Sequence, residues 1–409
     1  MNVEVQIHDS TSPDARFLRW VPSPCRIRIT NPSGTRGSSV NLDITAKTAA
    51  GGGQVVFRVG TTGAFTATIT VTVPTNGGTV PFFAAGKFGQ PSSSNGDVAI
   101  EVRAAGTLVA SVPVMVRIRK NANTLSTAER DRFVAAFAKL NNQGHGRFKD
   151  FRDMHVRISL SQAHGEPGFL PWHRAYLLDL ERDLQAIDPS VALLYWRFDQ
   201  AAPNIFTPDF FGASDSIGSV QFSATNPLQF WRTDGDLGVK RRPRFPTSTA
   251  PPNLFNEAQT LALGGASHAF KSFRDMEGNP HGLAHTSFSL SISDPATAPK
   301  DPLFFLLHCN VDRLWAKWQR KFKRFDPAVA ASFDTVATSP PGHKLPDTMW
   351  PWNGVTGGTR PPTAPGGPMS ASPSVSAPGP QPRVQDMLDY QGAIGTASQL
   401  GFDYDDAPF

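Results

Sequence analysis

The feature that most constrains this 409-residue chain is a change of hydrophobic period near residue 120. Before that point, short alternating runs, "CRIRIT", "VNLDITAKT", "QVVFRVG", "FTATITVTVP" and "SVPVMVRIRK", are separated by the turn signals "NPSG", "GGG", "TNGG" and "AAG". Alternation puts every second side chain on one face of an extended strand, and β-branched residues suit a pleated surface. Turns recurring about every ten residues fold such strands back on one another. The pattern predicts an N-terminal all-β antiparallel sandwich of about seven to nine strands over residues 1–120. His8 is the only histidine in this part and acids are few, so it reads as a packing or shielding module.

After residue 120 the spacing of apolar residues becomes helical. "STAERDRFVAAFAKLN" opens with Ser126 as N-cap and Glu129 three residues on, a capping box, and places Phe133, Phe137 and Leu140 on one face. "RFKDFRDMHVR" carries Phe148, Phe151 and His155 along one stripe, and "GFLPWHRAYLLDLE" carries Trp172, His173, Tyr176, Leu177 and Leu180. Residues 199–265 read mostly as loop with short helices. "EGNPHGLAHTSF" follows, with Pro280 at a first helical position ahead of His281 and His285. "DPLFFLLHCNVDRLWAKWQRKF" puts Phe304, His308, Val311, Trp315 and Trp318 on one helix face. Residues 121–409 therefore form a mainly α domain, a helical bundle; its Pro/Gly/Ser-rich segment 353–382 reads as extended or mobile, and a C-terminal tail, 383–409, resumes order. The length fits two to three domains, each able to bury a core.

Composition excludes several functions. Lys and Arg exceed Asp and Glu by 39 to 34, but the one cluster, "KRRPR" at 240–244, lacks the coherent basic stripe and stacking aromatics that nucleic acid requires, so no nucleic-acid partner is expected. No run of 18 apolar residues occurs, so no membrane span is expected either. "MNVEVQIHDSTSPDARF" has neither the basic start nor the apolar stretch of a secretory signal, and Cys25 and Cys309 define no disulfide framework; a cytoplasmic location is the default expectation.

Six of the ten histidines fall into two groups, His155, His164 and His173, then His281, His285 and His308. A single histidine among aromatics is most simply a hydrogen-bonded core residue. Two trios on apolar helices are better explained by metal. His281 and His285, four apart, project from one helix face and can share an ion. Neither group contains a carboxylate or thiolate, and sets of neutral imidazoles suit copper.

"FLPWHRAYLLDLE" and "DPLFFLLHCNVDRLWAKW", with H-x3-H between them, resemble the copper A and copper B signatures of tyrosinases and related polyphenol (catechol) oxidases, the type 3 dicopper proteins that also include molluscan haemocyanin. The similarity runs from about Arg119 to the end, including "RKNANTLSTAERDRFVAAFAKL" and "GFDYDD". It implies a tyrosinase-like bundle in which three histidines hold each of two copper ions, with dioxygen as co-substrate. His164 and His173 match the second and third copper A ligands, and His281, His285 and His308 match the copper B set. For the first copper A ligand His155, at the end of a helix, competes with His145 in the loop "NNQGHGRF". Asp312, four residues beyond His308, is a candidate to hold a ligand ring through its Nδ1 hydrogen or, alternatively, to form a buried ion pair with an arginine.

The resemblance implies oxidation of o-diphenols to o-quinones, with monophenols or o-aminophenols as further small phenolic substrates, and a copper-delivery protein as a second partner. Glu277 matches a glutamate that orients a water to take a phenol proton; the alternative is a helix N-terminal charge. Gly282 and Thr286 match residues at the substrate entrance, where glycine in place of asparagine argues against monophenol hydroxylation. Pro295 stands near the position of a capping residue and implies an open entrance. Leu307 replaces a histidine found beside the ligand in many relatives, Arg197 replaces an aspartate, and no cysteine precedes His164 to form a thioether. The alternative function within the same family is a haemocyanin-like dioxygen carrier or a non-catalytic copper-binding protein.

Overall fold

A computed structural model describes residues 1–31, 38–334 and 338–409, so of the "NPSG" turn only Asn31 lies inside the described residues. The chain divides into two compact units. One comprises Met1–Ile118, Pro373–Val375 and Gly401–Phe409; the other comprises Arg119–Ser372 and Ser376–Leu400.

The first unit contains β1 (Val3–Ile7), β2 (Phe17–Leu18), β3 (Ser23–Ile29), β4 (Ser39–Thr48), β5 (Val55–Arg58), β6 (Thr68–Pro74), β7 (Val80–Gly86), β8 (Val98–Ala104) and β9 (Thr107–Val116). They form a four-stranded sheet, β1-β3-β7-β5, and a five-stranded sheet, β2-β9-β8-β4-β6. In β3, Ser23, Cys25, Ile27 and Ile29 are buried while Pro24 and Arg26 are exposed, the period-two pattern of a half-buried strand. Cys25, Ile27, Phe57 and Phe82 from one sheet share a core with Leu42, Ile44, Ile100 and Val116 from the other, so the two inner faces make a sandwich. The sandwich is not wholly antiparallel. Phe17 and Leu18 of β2 pair in parallel with Met115 and Val116 of β9, because β2 is reached by a crossover from the other sheet rather than through a hairpin.

The C-terminal residues Gly401–Phe409 belong to this β unit, whereas the sequence pattern assigns all of 383–409 to the helical region. Buried polar groups explain it. Trp20 Nε1 donates to the Tyr404 carbonyl at 2.8 Å, and the Val21 amide donates to Asp403 Oδ2 at 3.2 Å. Such donors, cut off from water, need acceptors from somewhere.

The second unit is mainly helical: α1 (Thr127–Asn141), α2 (Phe148–Met154), α3 (Leu160–Ala163), α4 (Phe169–Ile187), α5 (Glu257–Ala262), α6 (Phe270–Phe273), α7 (Leu283–Thr286) and α8 (Leu303–Phe322). A two-stranded parallel pair joins β10 (Lys120–Asn121) to β11 (Leu194–Tyr195). The Ser126–Glu129 capping box starts α1 as expected, and Phe137 of its inner face meets Phe148, Trp231 and Phe305. Every residue from Phe169 to Arg182 of α4 and from Leu303 to Ala316 of α8 is buried, so these two helices, packed on each other, are central. Their charged residues then have to pair internally. Arg119 binds Glu181 at 2.7 Å and Asp312 at 3.2 Å, and Arg174 binds Asp312 at 2.6 Å.

Two local expectations change. α2 ends at Met154, leaving His155 as its C-cap with extended-side backbone angles (φ −126°, ψ 75°). Pro280 does not begin a regular helix: it lies inside a wide turn, Gly278–Gly282, and α7 starts at Leu283. The Pro-rich segment is held against α4, where Arg182 donates to the Ser370 and Ala377 carbonyls at 2.6 and 2.8 Å. Among the described residues, no helix is long and apolar enough to cross a membrane.

Candidate metal centre

The six histidines reach the site from six different places. His155 and His164 cap the C-terminal ends of α2 and α3, and His173 lies one turn into α4. His281 lies in the wide turn, His285 in α7, and His308 in the second turn of α8. The structure brings them together as two trios: in each of His155–His164–His173 and His281–His285–His308, the potential ligand nitrogens lie within 4.8 Å of one another. His145 lies exposed after a 3-10 turn and outside both trios, whereas His155 lies within the first. The trios adjoin: the His173 and His308 rings stack at 4.2 Å with planes 8° apart, and His164 and His281 lie at 5.8 Å.

Hydrogen bonds at Nδ1 orient the rings. His173 Nδ1 donates to the Phe169 carbonyl at 2.9 Å, His281 Nδ1 to the Glu277 carbonyl at 2.8 Å, and His285 Nδ1 to the Ile292 carbonyl at 2.7 Å. A carbonyl only accepts, so the proton is on Nδ1 and the Nε2 lone pair is free. Those lone pairs converge. His155 and His164 bring Nε2 atoms within 2.9 Å, while His308 Nε2 is 3.3 Å from that of His281 and 3.1 Å from that of His285. One proton on His308 Nε2 cannot satisfy both neighbours, and His173 Nε2 is buried with no hydrogen-bond partner. A cation answers both deficits: at a metal–nitrogen distance of about 2.0–2.1 Å, tetrahedral to right-angled ligation separates the nitrogens by about 3 Å. The residues present thus fit two copper ions, each held by three imidazoles.

The surroundings disfavour protonation of the five buried rings. Burial holds His155, His173, His281 and His308 well below the usual imidazole range, reinforced by the neighbouring rings, and pushes His285 down to about 4. Phe169 lies against His173 at 4.8 Å and His281 at 4.9 Å, and Phe304 against His155 at 5.0 Å and His308 at 4.2 Å, so each aromatic ring walls both trios. Both sit four residues before a ligand on the same helix, a signal already legible in "FLPWH" and "FFLLH". Trp172 completes the wall beside His155 and anchors itself by donating from Nε1 to the Trp350 carbonyl at 2.7 Å.

Asp312 Oδ1 accepts from Arg174 and its Oδ2 from Arg119, and among the described residues His308 Nδ1 has no hydrogen-bond partner. Of the two readings the sequence left open, the buried ion pair is the observed one, because the carboxylate turns toward the two arginines. Glu277 Oε1 accepts from His164 Nδ1 at 3.0 Å and from the Gly165 amide at 2.9 Å. Gly282 is half-buried and Thr286 and Pro295 are exposed. Arg197 is engaged by Asp199 at 3.2 Å, and Leu307 is fully buried. The Glu277–His164 contact and the Ile292 carbonyl carry no signal in the local sequence.

The chain is similar to several known proteins. Residues 145–321 match the family described as "Common central domain of tyrosinase". A tyrosinase of Streptomyces glaucescens is 33% identical over 266 residues, covering 58% of this chain and 92% of the relative. A grixazone synthase of Streptomyces griseus is 29% identical over 309 residues, covering 59% of this chain and 95% of the relative. A functional unit of octopus haemocyanin overlays with a TM-score of 0.48 at 21% identity, over 72% of this chain and 69% of its own. With two adjoining trios of histidines and a relative 33% identical over nearly its whole length, the chain belongs to the tyrosinase family.

Proposed function

We propose that this protein is a type 3 copper oxidase that uses dioxygen to convert o-diphenols to o-quinones. The observation that carries the reading is the pair of adjoining histidine trios with convergent Nε2 atoms in a dry aromatic shell. Held by His155, His164 and His173 and by His281, His285 and His308, two copper ions would supply two-electron redox chemistry between a catechol and dioxygen. The chain's own residues prepare that chemistry. Burial disfavours protonation of the five buried imidazoles, and Phe169, Trp172 and Phe304 wall the site against water. The carbonyls of Phe169, Glu277 and Ile292 hold three rings at fixed rotation.

Gly282, Thr286 and Pro295 are assigned to the substrate entrance. A side chain at Gly282 would meet only the Glu277 carbonyl, at 3.3 Å, so the glycine leaves room for a flat ring and offers no polar group to hold a proton-accepting water. This favours diphenols over monophenols. o-Aminophenols belong with the diphenols, since an ortho amine and hydroxyl lose the same two electrons and two protons. Five ligand rings are buried, so loading through a copper-delivery partner is part of the same proposal.

The test is oxygen uptake by copper-reconstituted protein on catechol, tyrosol and o-aminophenol. Turnover of catechol well above tyrosol is the expected result, and Gly282→Asn should raise the tyrosol rate. Hydroxylation of tyrosol as fast as catechol oxidation would overturn the diphenol preference. Two bound copper ions and reversible oxygenation without any turnover would identify a carrier instead.

A further inference from the structure

Glu277 occupies the junction between a 3-10 turn, Arg274–Glu277, and the wide turn that carries His281. Its backbone and side chain point to different trios. The carbonyl accepts from His281 Nδ1 at 2.8 Å, and Oε1 accepts from His164 Nδ1 at 3.0 Å. Among the described residues, no other side chain outside the trios hydrogen-bonds a ligand ring; the remaining Nδ1 bonds run to the backbone at Phe169 and Ile292.

His164 is the ligand that needs such a hold. His173 and His308 ride on long buried helices, but His164 follows the single turn of α3 and precedes Gly165, whose φ of +75° only glycine adopts without strain. Its side chain keeps 19% of its surface exposed, so packing alone does not fix the ring. Oε1 of Glu277 supplies two constraints at once. It takes the Nδ1 hydrogen, which leaves Nε2 as the donor, and it takes the Gly165 amide at 2.9 Å, which fixes the backbone beside the ring.

We infer that Glu277 is a positioning residue that clamps one ligand of each trio, holding His164 through its side chain and His281 through its carbonyl, and so sets how the two copper sites face each other. The inference rests on the proposal that the six imidazoles are the copper ligands. It differs from a role in taking a phenol proton, because it depends on the reach of one oxygen and not on its basicity.

Two substitutions separate reach from charge. Glu277→Gln keeps an acceptor oxygen at the same distance and removes the charge; Glu277→Asp keeps the charge and withdraws the oxygen by one methylene. Both leave the backbone carbonyl in place for His281. The measurement is copper retained per chain during dialysis against chelators of graded strength, with far-UV circular dichroism and unfolding temperature of each copper-free variant as the folding control. Glu277→Asp should bind one of its two ions about 10- to 100-fold more weakly, the usual effect of losing a partner behind a ligand, while Glu277→Gln retains both as wild type does. In a His164→Ala background, Glu277→Asp should leave retention of the remaining ion unchanged, since the side chain then has no ring to hold and the carbonyl still holds His281. An Asp variant that keeps both ions as firmly as wild type overturns the clamp, as does a Gln variant that loses one as readily as the Asp variant. Failure of the wild-type chain itself to take up two copper ions would strike the dicopper reading instead.

Discussion

Arg174 Nε donates to Asp312 Oδ1 at 2.6 Å, joining the residue after His173 on α4 to the residue one turn beyond His308 on α8. The helix register that makes this pair also stacks the His173 and His308 rings, at 4.2 Å. Arg174 further donates to Gln319 and to the Met387 carbonyl and lies 3.7 Å over the Trp315 ring, so its guanidinium has a charged, a polar and an aromatic partner.

Removing the carboxylate should therefore cost far more than removing a surface charge. Asp312→Ala leaves the buried guanidiniums of Arg119 and Arg174 without their shared acceptor, and the expected loss of stability in urea unfolding is about 3–5 kcal/mol. A loss of less than about 1 kcal/mol, the scale of an exposed pair, would show that the two helices are held in register by other means.

His308 Nε2 is the atom its trio shares, close to both His281 and His285. His308→Ala should lower bound copper from two ions to about one per chain, because two remaining imidazoles do not complete the three-ligand set. His145→Ala, at an exposed position outside both trios, should leave copper content unchanged. Elemental analysis of the two purified variants distinguishes these outcomes.

The buried imidazoles set a pH dependence. In the unfolded chain they titrate near 6.5, whereas in the fold burial pushes His285 down to about 4 and the other four buried ligands well below the usual range. As pH falls below about 6.5 the unfolded state takes up protons that the native state refuses, so the stability of copper-free protein is full above that pH and declines toward pH 4. Unfolding temperatures of copper-free protein should hold level from pH 7.5 to about 6.5 and fall from there to pH 4.5; a rise below pH 6.5 would contradict the burial argument.

Gly168 admits no side chain. A Cβ there would lie 2.4 Å from His343 Nδ1, which accepts from the Gly168 amide at 3.2 Å while His343 Nε2 donates to the Ser161 carbonyl at 2.7 Å. His343 thus ties the start of α4 to α3, on either side of His164. Gly168→Ala should destabilise the protein by about 1–3 kcal/mol, the range for forcing extra atoms into a packed interior, and loosen copper at the first trio. Thermal unfolding and copper retention, compared with a Gly278→Ala control where a Cβ meets nothing within 4 Å, test both effects.

Local sequence determined the two textures, the capped start of α1, the buried stripes of α4 and α8 and the grouping of six histidines, because hydrophobic period and capping chemistry act between residues a turn or a strand pair apart. Only tertiary structure decided what each buried polar group meets. His155 entered the site, its ring 5.5 Å from that of His173 on α4, and His145 did not, although both are near helix ends. Asp312 bound an arginine 138 residues away rather than a ligand ring, and Glu277 reached His164 across 113 residues. Gly401–Phe409 joined the sandwich because Trp20 and Val21 needed acceptors there. Periodicity states which face is buried; the register between packed elements states against what, and a hydrogen bond of about 3 Å depends on that register alone.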